Sequence, residues 1–283
     1  MISDAFRFKI EASEQNIILS IKTHITKENS MKTKGSIVAI TGAGGGLGSA
    51  MAKRLAGQGA RLALLDYVTE PLEALKAELG LDEADCLVLG CDVSNEEAVD
   101  TAFADIKEYF GGLDALVNNA GITRDALMIK VKNGELVSRM SLANWNAVID
   151  VNLTGVFLCG RAAAEHMALS SEPGVIINIS SISHSGNMGQ SNYSAAKAGV
   201  AAMAVTWAKE LARYGVRVNA ISPGFIGTEM VMSMKPEALA KLSAMIPAGR
   251  IGTPDEIAHT VQYIIENDFV NGRNIEVDGG MRL

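Results

Sequence analysis

The sequence predicts an α/β protein: a doubly wound, parallel, seven-stranded sheet with helices on both faces, in a single domain. From Lys34 onward, short runs rich in Val, Ile and Leu alternate with longer segments of helical period, as repeated βαβ units do. Several of the short runs are almost continuously apolar, as strands are when helices cover both faces of a sheet. The 283 residues are 48% hydrophobic and 20% charged with only 6 prolines, which supplies apolar material for a sizeable core.

In chain order the strands are read at Ser36 to Thr41, Arg61 to Asp66, Cys86 to Gly90, Ala115 to Asn118, Val175 to Ile179, Arg217 to Ile221 and Asn274 to Val277. Helices are expected near Leu47, Pro71, Asn95, Asn144, Tyr193, Pro236 and Pro254, with Ser94, Ser141 and Thr253 or Asp255 as caps. A helical run is also read over Val148 to Leu158. Two segments stand outside the rhythm. Residues 1–33 are read as an N-terminal extension, an extended or misassigned start, ahead of a domain spanning 34–283; Met31 sits just where such a domain would begin. Ile122 to Ser141 reads as a polar excursion, a hairpin turning at Asn133-Gly134, bordering a substrate cleft.

Composition excludes several classes. A formal charge of -7 without a Lys/Arg cluster argues against nucleic-acid binding. Cys86, Cys91 and Cys159 fit neither a disulfide framework nor a zinc spacing, so no metal is expected and a reducing, cytoplasmic setting is. The first thirty residues hold no apolar stretch longer than Ile17-Ile18-Leu19. The apolar run Ala198 to Val205 falls far short of the roughly 18 residues a membrane span needs, so no membrane association is expected.

The stretch Thr41 to Gly48, with Gly42, Gly46, Leu47 and Gly48, lies between the first strand and first helix. A glycine turn there lets backbone N–H groups approach a pyrophosphate; the competing reading is an ordinary turn. Asp66 closes the second strand, where a carboxylate accepts from ribose hydroxyls and repels a 2′-phosphate. Neither Gly45 nor Tyr67 supplies a cation for that phosphate, so NAD(H) is preferred, with NADP(H) as the alternative.

Tyr193 and Lys197 are spaced i, i+4, so on a helix they share one face. A phenol titrates near pH ~10, and a nearby ammonium is expected to lower that value and make Tyr193 a general acid or base. Alone, such a pair is more often a surface pair; here it follows Ser180-Ser181 at the end of the fifth strand. A serine hydroxyl there can hold a substrate oxygen against Tyr193.

These elements resemble the short-chain dehydrogenase/reductase family, and the resemblance covers residues 36–283. It rests on Thr41-Gly42 with Gly46 and Gly48, Cys91-Asp92-Val93, Asn118-Asn119-Ala120-Gly121, Asn152 with Gly155, Ile179-Ser180-Ser181, Tyr193 with Lys197, and Ser222-Pro223-Gly224 through Thr228. It implies a Rossmann-like fold and hydride transfer between nicotinamide and a carbonyl or secondary alcohol. Asp92 would bind the adenine amino group and Val93 pack on the ring; Asn118 would be structural and Asn119 lie beside the cofactor. Pro223, Gly224, Ile226 and Thr228 would hold the nicotinamide carboxamide and phosphate, Lys197 the ribose, and Asn152 a water linking Lys197 to solvent. The family's ISS sequence points to Ser181, twelve residues before Tyr193; the commoner spacing of thirteen selects Ser180.

Phrases such as Gly121 to Asp125, Gly189 to Tyr193 and Glu276 to Gly280 look closest to 3-oxoacyl-[acyl-carrier-protein] reductases of fatty-acid biosynthesis. Two departures stand against that substrate: those enzymes usually prefer NADPH, and they meet acyl carrier protein through cations, where Leu169 to Pro173 has none. A coenzyme A thioester, or another small alcohol or ketone, is the rival. The nearly all-apolar segment Ala198 to Ala208 predicts a homo-oligomeric interface, in a tetramer or dimer as is common in the family. A non-catalytic dinucleotide sensor would need neither Tyr193 nor Lys197. The family's enoyl reductases place six residues between Tyr and Lys, against three here, and its extended epimerases carry more chain after the sixth strand.

Overall fold

The computed structural model describes residues 31–170 and 172–283; most of the extension read over 1–33 lies outside them. Seven parallel strands form one sheet: β1 (Ile37–Thr41), β2 (Arg61–Asp66), β3 (Cys86–Gly90), β4 (Ala115–Asn118), β7 (Gly174–Ile179), β8 (Val216–Pro223) and β9 (Asn274–Val277). Their order is β3-β2-β1-β4-β7-β8-β9. The chain winds outward from β1 to β3, returns to β4, and winds the other way. The reversal between β1 and β4 is a topological switch point, and in such sheets ligands sit there, beyond the carboxyl ends of the strands.

The helices lie where the periodicity places them. They are α1 (Gly46–Gly57), α2 (Glu70–Leu79), α3 (Glu96–Phe110), α4 (Leu142–Ile149), α5 (Gly155–Ser170), α6 (Ser191–Leu211), α7 (Glu229–Met232), α8 (Pro236–Met245) and α9 (Pro254–Glu266). Ser141 caps α4 through its hydroxyl, and Thr253 precedes α9 with its N–H donating to Glu256 at 2.8 Å. Ser94 is no cap: Asn95 accepts from Ala98 N–H at the start of α3, while the Ser94 hydroxyl turns back to Asp92. A core of Ile, Leu, Val and Phe103 fills the space between sheet and helices.

The run read over Val148 to Leu158 is one stretch of a longer feature. α4 and α5 are joined without a break by a π-helical turn at Asp150–Thr154. The joined helix Leu142–Ser170 is long and apolar enough to cross a membrane by length and composition, and half of its most apolar window is buried inside the protein.

The expected hairpin forms, β5 (Ile129–Lys132) pairing antiparallel with β6 (Glu135–Arg139). Its turn uses Asn133 and Gly134, both at positive φ, as an Asn-Gly hairpin turn requires. The hairpin strands are exposed throughout, but the root is tied down. Ala126 N–H donates to the Gly189 carbonyl at 2.8 Å, and Gln190 Nε2 to Asp125 at 3.0 Å.

Candidate active site

At the carboxyl end of β1 the chain turns through Gly42 at φ +64°, where a Cβ would stand 2.8 Å from the Ala120 backbone. A Cβ on Gly48 would collide with the Gly42 carbonyl oxygen, and one on Gly46 would lie 3.2 Å from Thr228. α1 starts here with no side-chain cap and no acidic residue in its first turn, leaving its N–H donors and positive end for an anion. Leu47 is half-buried in that turn. The Asp66 carboxylate is fixed at its mouth: Gly44 N–H donates to Oδ2 at 3.0 Å and Tyr67 N–H to Oδ1 at 2.7 Å.

From β4, Asn119 Nδ2 donates to the carbonyls of Thr41 at 3.1 Å and Gly42 at 2.9 Å, bracing the turn. Asn118 is structural as expected, its Nδ2 donating to Asn178 Oδ1 at 2.9 Å across to β7. After β3, Asp92 Oδ1 accepts from Ser94 N–H and hydroxyl. Val93 is buried, packed on the space left by Gly155. The Pro223 to Thr228 loop closes the other side. Gly224 N–H donates to Val277 at 2.9 Å, Ile226 is buried, and Thr228 lies against Gly46. A cradle too tight for side chains, an uncapped helix start and a carboxylate at its mouth fit a dinucleotide at the switch point.

Beside this cradle stand the residues expected to do chemistry. Tyr193 and Lys197 lie in the first two turns of α6, and Lys197 Nζ is 5.6 Å from the Tyr193 ring centroid. Lys197 is 3% exposed; its Nζ donates to the Ile179 carbonyl at 2.7 Å, and burial pushes it down to about 8. The expectation that this ammonium lowers the phenol does not hold. Burial holds the Tyr193 hydroxyl above its ordinary value, outweighing a hydrogen bond with Ser181, and the Asp125 carboxylate adds to the rise. The lysine is turned toward Ile179 instead.

The two serines part company in the structure. Ser180 is buried and its hydroxyl donates to the Lys197 carbonyl at 2.9 Å, which anchors α6 to β7. Ser181 is half-buried, its hydroxyl close enough to Tyr193 to favour the phenolate; its Oγ accepts from Ser183 N–H at 3.1 Å. Asn152 is fully buried in the π-helical turn, its amide exchanging both bonds with the Ile122 backbone at 2.8 and 2.9 Å. π-Turns of this kind recur at functional sites.

Three participants escaped the sequence reading. Asn192 Nδ2 ties the Arg124 and Asn144 carbonyls together just before Tyr193. Gln190 joins Ser183, Asn187 and Asp125. His184 Nδ1 lies 2.6 Å from the Ser181 carbonyl oxygen. Their partners are long-range or loop contacts that no local pattern announces.

Residues 42–282 match the family model described as enoyl-(acyl carrier protein) reductase. The 3-oxoacyl-[acyl-carrier-protein] reductase of Synechocystis sp. is 40% identical over 87% of this chain and 96% of its own length. The human 3-hydroxyacyl-CoA dehydrogenase type-2 is 40% identical over 88% and 96%. A crystal structure of a short-chain type dehydrogenase/reductase from Mycobacterium marinum superposes with a TM-score of 0.79 at 31% identity, covering 88% and 96%. The chain belongs to the short-chain dehydrogenase/reductase family. As a member it is an oxidoreductase acting on CH–OH groups with NAD(P) as acceptor.

Proposed function

We propose that this chain is an NAD(H)-dependent reductase of 3-oxoacyl thioesters, working through Ser181, Tyr193 and Lys197. The observation that carries the reading is the Tyr193 hydroxyl, beside that of Ser181 and one helical turn from the buried Lys197. When bound, the nicotinamide gives or takes the hydride at its C4. Ser181 and Tyr193 hold the substrate oxygen by hydrogen bonds. Tyr193, raised by burial, is protonated at neutral pH and gives its proton to the oxygen as it becomes an alkoxide, which suits the reductive direction. Lys197 binds the ribose, and Asn152 in the π-turn holds the Ile122 segment and a water on the path that restores the proton. Gly42, Gly46, Leu47, Gly48, Asp92, Val93, Asn119, Pro223, Gly224, Ile226 and Thr228 line the dinucleotide.

Asp66 supports NAD(H) over NADP(H), because a fixed carboxylate repels a 2′-phosphate. The names of the relatives support the thioester, carried by acyl carrier protein in one and coenzyme A in the other. The absence of a cation from Leu169 to Pro173 favours coenzyme A over an acidic carrier. The matched family model is named for enoyl reduction, but three residues between Tyr193 and Lys197 favour a carbonyl substrate. Exposed Trp145, Phe157 and Val205 on α4, α5 and α6 support a homo-oligomer, and three free cysteines support a cytoplasmic setting.

The test is a spectrophotometric assay of NADH and NADPH oxidation with acetoacetyl-coenzyme A and a panel of small ketones. NADH with the thioester is expected to win. Tyr193→Phe is expected to lower turnover by about a thousandfold while NADH still binds. Equal use of NADPH defeats the role given to Asp66, and ketone-only turnover defeats the thioester.

A further inference from the structure

Ser181 begins a single turn of 3-10 helix, Ile182–Ser185, from an extended backbone at φ -168° and ψ 154°. Its Oγ accepts from Ser183 N–H, so its hydroxyl proton is left to turn toward Tyr193 or a substrate oxygen. The direction of that hydroxyl depends on the end of the turn nearest Ser181 staying closed, while Ile182 and the Ser183 hydroxyl anchor its middle. The bond that closes it onto the serine is His184 N–H to the Ser181 carbonyl at 3.0 Å, and Gly186 N–H to the Ser183 carbonyl, also at 3.0 Å, closes its far end.

The same carbonyl has a second, shorter partner, His184 Nδ1 at 2.6 Å. A carbonyl oxygen only accepts, so Nδ1 carries the hydrogen. The other ring nitrogen is then an acceptor and looks away from the site, with the Ser185 hydroxyl at 3.4 Å as its donor and the Glu276 carboxylate on β9 3.9 Å off. Glu276 is itself paired with Arg282, which also lies 3.7 Å from Asp278. A histidine that donates to an active-site carbonyl at one nitrogen and accepts a hydroxyl at the other has its ring orientation fixed from both ends.

We propose that His184 is a positioning residue for Ser181: its Nδ1–H pins the Ser181 carbonyl, with the Ser185 hydroxyl at its other nitrogen, and so holds the turn that aims the Ser181 hydroxyl at Tyr193. His184 touches no reacting atom and acts only through that serine. The inference rests on the assignment of Ser181 and Tyr193 above.

The test exploits shape. Asn places an N–H donor near the position of Nδ1, Asp places an acceptor there, and Ala places nothing. His184→Asn is expected to keep kcat within about threefold, His184→Ala to lose about tenfold and His184→Asp about a hundredfold, misalignment of a reacting group by about 1 Å being enough for the last. The KM for NADH and the Tm are expected to stay put across the series. Nitrogen-15 NMR of the wild-type ring is expected to show the proton on Nδ1 at pH 8. Asp as active as Asn, losses that track Tm, or a proton on Nε2 alone would overturn the proposal. Full turnover by Tyr193→Phe would instead overturn the reading of the site, which separates the two failures.

Discussion

Lys197 Nζ donates to the main-chain carbonyl of Ile179 at 2.7 Å, two residues before Ser181. The lysine thus ties the helix that carries the phenol to the strand that carries the serine. It does so from a buried site that pushes its ammonium down to about 8.

The sign of the pH effect follows. Below pH 8 the side chain is an ammonium able to donate to a ribose hydroxyl, and above it a neutral amine. Dinucleotide affinity is therefore expected to be greatest below pH 8 and to fall by about tenfold toward pH 9.5, since each unit of linked shift is a factor of ten. Lys197→Met is expected to bind weakly without this dependence. Fluorescence titration of NADH from pH 6 to 10 checks both; a flat wild-type profile removes Lys197 from cofactor binding.

The two serines are separable by experiment. Ser181→Ala is expected to lower kcat by about a hundredfold at nearly unchanged Tm, as loss of a hydrogen bond to the reacting oxygen does. Ser180→Ala removes a buried bond to the Lys197 carbonyl and is expected to cost about 1–2 kcal/mol of stability, with a much smaller effect on kcat. Denaturant melts beside steady-state rates decide; the reverse pattern hands the role to Ser180.

Asp66→Asn removes the charge and keeps an acceptor for one of the Gly44 and Tyr67 N–H groups, setting its NH2 against the other. We expect kcat/KM with NADPH to rise about tenfold and that with NADH to fall severalfold, because the repulsion of a 2′-phosphate is lifted. Asp66→Ala is expected to lose stability as well, from stranded backbone donors. Paired kcat/KM measurements with the two cofactors check this, and no gain with NADPH counts against it.

Gly48→Ala drives a methyl group into the Gly42 carbonyl oxygen, and backbone there has no room to yield. A loss of about 2 kcal/mol or more and an NADH affinity at least about tenfold weaker are expected. Thermal melts with and without NADH measure both, and wild-type values would mean that the turn is slack.

Much of this was legible in the residues. β2, β3, β4 and β9 have the bounds read from the sequence, because buried parallel strands are written as apolar runs between turn residues. Asn133-Gly134 announced its hairpin by the backbone angles it tolerates. Ser94 and Asn95 are both good caps, and only the real course of the chain selects Asn95. The π-turn at Asp150–Thr154 adds one residue to a helical turn, and no residue type marks that slip. The raised Tyr193 was missed because spacing reports that a cation is near, while burial and the direction of Lys197 Nζ are properties of the assembled fold. His184 and Glu276 meet across the sheet from distant parts of the chain, beyond any local pattern.

β9 supplies Glu276. It is the border strand of the sheet, hydrogen-bonded to β8 on one side. Were it to peel away, the β8 border would stand unpaired, a sticky template for other chains.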